Sequence, residues 1–141
     1  MRCSGVCLTV ALCSLRYVEV EAWRSSLCSS NLASLARFDV VNVEAPASLN
    51  SLIHGHFVRG HVVAMVELVK AVRCGASLIL KVVSPSWLSS KLVAATSVCL
   101  NGVSLALTKT DCLCFDVLLT RFSVLNTSFK TIGWNTELNF E

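Results

Sequence analysis

Two seven-residue segments, Ser4-Gly5-Val6-Cys7-Leu8-Thr9-Val10 and Asn101-Gly102-Val103-Ser104-Leu105-Ala106-Leu107, carry one pattern 97 positions apart, as 101 is from 4. In each, a small polar residue and a glycine precede a strand-like alternation. The same spacing sets Ser26-Leu27 over Ser123-Val124 and Leu32 over Phe129. With a two-residue shortening, Val41-Asn42-Val43-Glu44 falls over Thr136-Glu137-Leu138-Asn139. One register held over about forty positions marks two copies of a β-module. The first copy opens in mid-module, because the strands that precede Asn101, within 62–83, have no counterpart before Cys3. If a complete module is a closed barrel, the first lacks about half its strands and exposes edges that have to be covered.

Period-2 alternation of β-branched and polar residues dominates the rest. Residues 16–21, 39–44, 62–72, 77–83, 103–109, 113–119 and 136–140 read as strands. One helix is expected after Ser84-Pro85, with Ser84 as its cap and Pro85 in its first turn. Trp87, Leu88, Leu92 and Val93 then fall near one face. A shorter helical turn fits 48–53. Many short strands with little helix point to a sandwich or a barrel.

Composition removes several function classes. A chain of 141 residues that is 54% hydrophobic and 15% charged lies outside the disordered range. Twelve basic and nine acidic residues, scattered without runs, leave a net charge of +3 and no footprint for a nucleic-acid partner. No stretch approaches the roughly 18 apolar residues of a spanning helix; the most apolar region, 92–107, is cut by Thr96, Ser97, Asn101, Gly102 and Ser104. No membrane partner is therefore expected. Met1-Arg2 followed by apolar residues 6–15, with Cys13 near the end, also fits a signal peptide of an exported β-protein. Against that alternative, part of the segment recurs inside the chain.

Of the eight cysteines, which include no CxxC motif, most read as reduced structural thiols, consistent with a cytoplasmic protein. His54, His56 and His61 cluster away from any cysteine pair, and i, i+2 spacing on a loop is a poor metal signal, so no metal is expected. Taken alone, Cys7 reads as a packed thiol, Ser104 as an ordinary strand serine, and Gly5 and Gly102 as bulge markers. The paired positions raise Cys7 and Ser104 above that background.

The same residues resemble the riboflavin synthase family. Ser4-Gly5-Val6-Cys7-Leu8-Thr9-Val10 is similar to the family's N-G-x-C-L-T-V segment. Residues 32–44 resemble L-x-x-L-x-x-G-D-x-V-N-x-E, with Phe38 in place of the glycine. His54-Gly55-His56-Phe57-Val58-Arg59-Gly60-His61-Val62 resembles G-G-H-x-x-S-G-H-V, the junction between the family's two barrels. Residues 101–107 resemble D-G-I-S-L-T-V, and 123–128 the T-L-x-N-T-T segment.

The resemblance implies an all-β chain of tandem Greek-key six-stranded barrels, the first (residues 1–55) incomplete and the second spanning 56–141. It implies binding of 6,7-dimethyl-8-ribityllumazine and riboflavin, no cofactor, and a self-associating trimer. The implied reaction is a dismutation of two lumazines to riboflavin and 5-amino-6-ribitylaminouracil. Carried over by motif, Cys7, Leu8 and Thr9 would line the first pocket, and Ser104 and Leu105 the second. Gly60, His61 and Val62 would lie by the second ring, and Ser26 and Ser123 would offer hydroxyls. Cys7, Ser104 and His61 would take the catalytic roles, and Glu141 would close the last strand.

Departures from the family pattern keep other readings open. An F-T-G-I-like start is missing, and so is the C-terminal helix that helps make the trimer. Ala95 stands for an expected lysine, for which Lys91 is a candidate substitute, and Ala106 stands for a threonine. Arg59 replaces a serine, Val63 an acidic residue and Arg121 a proline. A non-catalytic lumazine or flavin carrier, or a decayed synthase, fits the same residues.

Overall fold

A computed structural model describes residues 1–52 and 55–141; Ile53 and His54 lie outside the described residues. The chain is all-β in character. Short strands β1 (Arg2–Cys3), β2 (Val6–Cys7), β3 (Thr9–Cys13), β4 (Val18–Glu21) and β5 (Val43–Glu44) come first. Then follow β6 (Ala64–Cys74), β7 (Ser77–Val83), β8 (Ser97–Leu100), β9 (Val103–Thr110), β10 (Cys114–Leu119) and β11 (Thr136–Phe140). The last six close a barrel in the order β10-β7-β6-β11-β8-β9, with every pairing antiparallel.

Alternation explains the closure. Along β10, Phe115, Val117 and Leu119 point inward and are at most 1% exposed. Leu80 and Val82 of β7 and Leu138 of β11 meet them inside, and Phe115 packs edge-on against Phe140 with ring centroids 5.8 Å apart. A barrel buries such a face on all sides and leaves no edge strand.

The strands that precede the barrel form a three-stranded sheet, β2-β1-β5, and the hairpin β3-β4. Their pairing copies the barrel's at a constant spacing of 97. Arg2 pairs with Cys7 and Cys3 with Val6, as Cys99 pairs with Ser104 and Leu100 with Val103. Cys3 pairs with Val43 as Leu100 pairs with Phe140. The hairpin repeats β9-β10, including its bulge: Val10 faces Val20 and Leu12 faces Glu19, as Leu107 faces Val117 and Lys109 faces Asp116. Helix α1 (Arg24–Cys28) and the 3-10 turn Asn31–Ser34 answer to α3 (Arg121–Asn126) and the 3-10 turn Ser128–Lys130.

Several sequence expectations are corrected here. No shortening separates the two arrays: Asn42 answers to Asn139 and Glu44 to Glu141, whose backbone exchanges hydrogen bonds with Cys99 as Glu44 pairs with Arg2. A two-residue slip escapes the alternation pattern because it returns every side chain to the same face. The helix after Pro85 is the four-residue α2 (Ser86–Ser89), and Ser84 does not cap it; its hydroxyl meets Ser89 Oγ at 2.7 Å instead. Leu88 is buried, but Trp87 and Val93 are exposed. Residues 39–44 supply only the two-residue β5, and 48–51 make a turn closed by Ser51 N donating to Ser48 O.

Candidate functional site

The two arrays meet at their turns. Ser4 and Gly5 have φ of 44° and 86°, and Asn101 and Gly102 have 47° and 79°. Two successive left-handed residues make a hairpin turn whose twist matches its strands, and they favour Asn-Gly-like pairs. The turns pack back to back: a Cβ on Gly102 would sit 2.8 Å from the backbone nitrogen of Gly5.

Amide side chains lock this seam. Asn139 Nδ2 donates to Ser4 O at 2.8 Å, and Asn42 Nδ2 donates to Asn101 O at the same distance. Asn139 Oδ1 accepts from Asn31 N (2.7 Å) and Asn42 Oδ1 from Ser128 N (2.8 Å). Asn31 Nδ2 completes the ring by donating to Asn101 Oδ1 at 3.1 Å. Among the described residues no buried side-chain nitrogen or oxygen lacks a partner. Such a satisfied network holds one geometry, since any displacement strands a polar group in a low-dielectric interior.

Beside the seam opens a cleft of about 1020 Å³, at the upper limit of ordinary small-molecule pockets and roomy enough for a planar cofactor-sized molecule. The first array contributes the stretch that leads into β5. The second contributes the start of β9, helix α3 and the turn after it. Ser104 lies in this cleft with its Oγ 2.8 Å from His56 Nδ1. The junction segment delivers that histidine by crossing directly over β9: Gly55 has φ +85°, and a Cβ there would lie 2.7 Å from Ser104 Oγ. Phe122, Leu125 and Phe57 supply apolar walls. Arg2 and Glu44 pair with each other at the cleft, and Arg2 also donates to Val58 O at 3.3 Å.

The same junction reaches the first array five residues later. Gly60, at φ +79°, accepts from Cys7 N at 2.9 Å, and a Cβ on it would lie 2.9 Å from Cys7 Cβ. Its own N–H donates to Glu141 Oε2 at 2.8 Å. The other carboxylate oxygen accepts from the Cys99 thiol at 3.3 Å. Burial and then the Glu141 charge push that thiol well above its ordinary 9.0, so Cys99 is a neutral donor rather than a thiolate.

Of the catalytic and substrate-binding residues implied by the family motifs, Ser104 lines the cleft, together with Gly5, Gly102 and His56 from the same motifs. Cys7 and Thr9 are exposed on the first array, and Cys7 meets Gly60 there. Leu8 and Leu105 are buried, at 6% and 5% exposure, with Leu105 in the barrel core. His61 is exposed and Val62 half-buried, both apart from the cleft. Ser26 lies half-buried in α1, and Ser123 Oγ meets the capping hydroxyl of Thr120 at 3.1 Å. Lys91, the candidate substitute for the lysine expected at Ala95, does not line the cleft: its ammonium lies over the Trp87 ring, 5.7 Å from the centroid. His54 is outside the described residues, and no three His, Cys, Asp or Glu side chains among the described ones gather to hold a metal.

His56 has a role in the cleft that neither the histidine cluster nor the family motif assigned to it. Its signal was present in the junction motif, but the partner, Ser104, is 48 residues away. The apolar walls from α3 were hidden for a different reason: six residues starting at Arg121 carry too little periodicity to announce a helix.

Comparison with known proteins adds the following. Residues 59–141 match the lumazine binding domain family. A riboflavin synthase from Brucella abortus is 32% identical over 144 residues, covering 99% of this chain and 71% of the relative. Other riboflavin synthases match over shorter spans; that of Escherichia coli is 34% identical over 67 residues, 48% of this chain and 32% of its own. Crystal structures of LumP complexed with riboflavin, flavin mononucleotide and 6,7-dimethyl-8-(1'-D-ribityl) lumazine share the fold. Their TM-scores are 0.91, 0.87 and 0.87 at 18%, 16% and 18% identity, covering all of this chain and 76%, 75% and 76% of theirs.

Proposed function

The chain belongs to the riboflavin synthase family of lumazine-binding proteins, and from that membership we propose that it binds 6,7-dimethyl-8-ribityllumazine in the cleft beside Ser104 and dismutates two such molecules. One observation carries the catalytic part of the reading: the His56 Nδ1 to Ser104 Oγ contact of 2.8 Å inside a cleft walled by aromatic and aliphatic side chains. The C7 methyl of a bound lumazine is acidic. A hydroxyl polarised by an imidazole is suited to pass its proton, and the resulting carbanion attacks the second ring. Transfer of a four-carbon unit then gives riboflavin and 5-amino-6-ribitylaminouracil. Such proton transfers contribute about 10²- to 10⁴-fold, and the larger share comes from holding two planar rings face to face.

The pairing of two rings asks for two sites. We read the arrays as copies of one module, each with a ligand place: Ser104 in the second, backed by the buried Leu105, and Cys7, Thr9 and Ser26 in the first, backed by the buried Leu8. The matched strand registers support this reading. Gly60, which meets Cys7, and its neighbours His61 and Val62 lie apart from the Ser104 cleft and would border a ring in the first-array site, completed by self-association. Ser123, next to the cleft residue Phe122, would offer a hydroxyl to the second. The residues divide as 1–55 and 56–141.

A carrier that binds lumazine or flavin without turnover is the second reading. Ala106 in place of the motif's threonine and Ala95 in place of its lysine favour it. Incubating the purified chain with the lumazine and following flavin fluorescence separates the two. Growth of riboflavin fluorescence is the expected result; saturable binding without growth leaves the carrier, and absence of binding removes both.

A further inference from the structure

We propose, on the reading that the cleft holds a flavin or lumazine, that Lys130 sets its ligand preference by giving it a handle for an anionic tail, so that a 5′-phosphorylated flavin binds more tightly than the unphosphorylated one. The cleft has three charged side chains among its described lining residues. Arg2 and Glu44 neutralise each other, and Arg2 is further held by Val58 O. Lys130 is exposed at the same cleft and has no ion-pair partner among the described residues.

Around Lys130 the other polar groups are already engaged. Ser128 N donates to Asn42 Oδ1, and Asn42 Nδ2 meets Ser128 Oγ. Thr127 Oγ1 donates to Ser123 O, and the N–H groups of Phe129, Lys130 and Thr131 all have acceptors within the turn. No cradle of free backbone N–H groups faces the cleft there. An anion would therefore be met by the ammonium itself, acting as a flexible point charge.

A purely structural role for Lys130 explains less. A cation in the last turn of a helix complements its dipole, but the matched turn Asn31–Ser34 forms with Ala33 at the corresponding position. The turn does not require a lysine. The second array therefore differs from the first by a positive charge placed at a ligand cleft.

The test measures binding of riboflavin and of flavin mononucleotide to the intact chain by quenching of flavin fluorescence, at low and high salt. Flavin mononucleotide is expected to bind about three- to tenfold more tightly at low salt, as befits one exposed charge contact. That ratio should fall to near one at high salt and in Lys130→Gln, while riboflavin affinity stays within about twofold. Equal affinities for the two flavins, or a ratio that Lys130→Gln leaves intact, would overturn the proposal while leaving the cleft as a flavin site. Failure of both flavins and of the lumazine to bind would overturn it together with the reading it rests on.

Discussion

Val20 and Val117 occupy matched places in two hairpins of the same register and the same bulge, yet Val117 is fully buried and Val20 is 38% exposed. Val18 and Phe115 differ likewise, at 42% and 1%, as do Val43 and Phe140, at 61% and 5%. The backbone pairing is common to both arrays. What separates them is β6 and β7, which bridge β11 and β10 and close the barrel. In the first array, among the described residues, β4 pairs only with β3 and β5 only with β1, and no described strand lies opposite the inward-facing row. Local strand geometry is thus set by short-range pattern and turns, whereas the stability of a row of valines depends on strands far along the chain.

The sharpest way to break that comparison is at the seam. Asn139→Ala removes three side-chain hydrogen bonds in a fully buried position and strands Ser4 O and the Asn31 groups. It should cost about 3–5 kcal/mol in chemical denaturation. Its mate, Asn42→Ala, is only half-buried, so water can replace the lost partners, and about 1–2 kcal/mol is expected. Equal losses would mean that the seam is shielded evenly on both sides.

The valine pair comes next. Val117→Ala should lower stability by about 2–3 kcal/mol through lost burial and a cavity, and Val20→Ala by less than about 1 kcal/mol. A large effect at Val20 would show that the first array is covered in solution.

At the sites, Ser104→Ala should slow lumazine turnover about ten- to thirtyfold with the fold retained, as judged by its melting temperature. Cys7→Ala should have a smaller effect, because its array is open. If the two match, the first array is a ligand site of equal standing.

The smallest contrast is in thiol chemistry. Exposed Cys7 should react readily with a thiol reagent at pH 8, and Cys99 only after unfolding. Because the folded Cys99 thiol holds its proton more tightly than the ordinary 9.0, the native state binds more protons than the unfolded one above that pH. Stability should therefore be unaffected by this group below about pH 9 and decline as pH rises beyond it. Cys99→Ala should flatten that decline in a series of denaturation curves.

Much of this was legible in residue order. The alternation around Leu80, Val117 and Leu138 announces strands, and the matched motifs around Gly5 and Gly102 announce the family, although those glycines read as bulges and prove to be hairpin turns. Alternation could not tell Asn42 over Glu137 from Asn42 over Asn139, since both keep the same face inward. Nor could it show that Leu105 points into a core while its neighbour Ser104 points into a cleft beside His56. By itself the sequence determined the all-β class, the two arrays and the lumazine-binding ancestry, because these rest on local spacing and turn chemistry. Only the tertiary structure decided that β6–β11 close a barrel while the described strands β1–β5 form two separate small sheets, and that Ser104 finds His56. Those outcomes depend on contacts between residues tens of positions apart, whose meeting is set by the path of the folded chain.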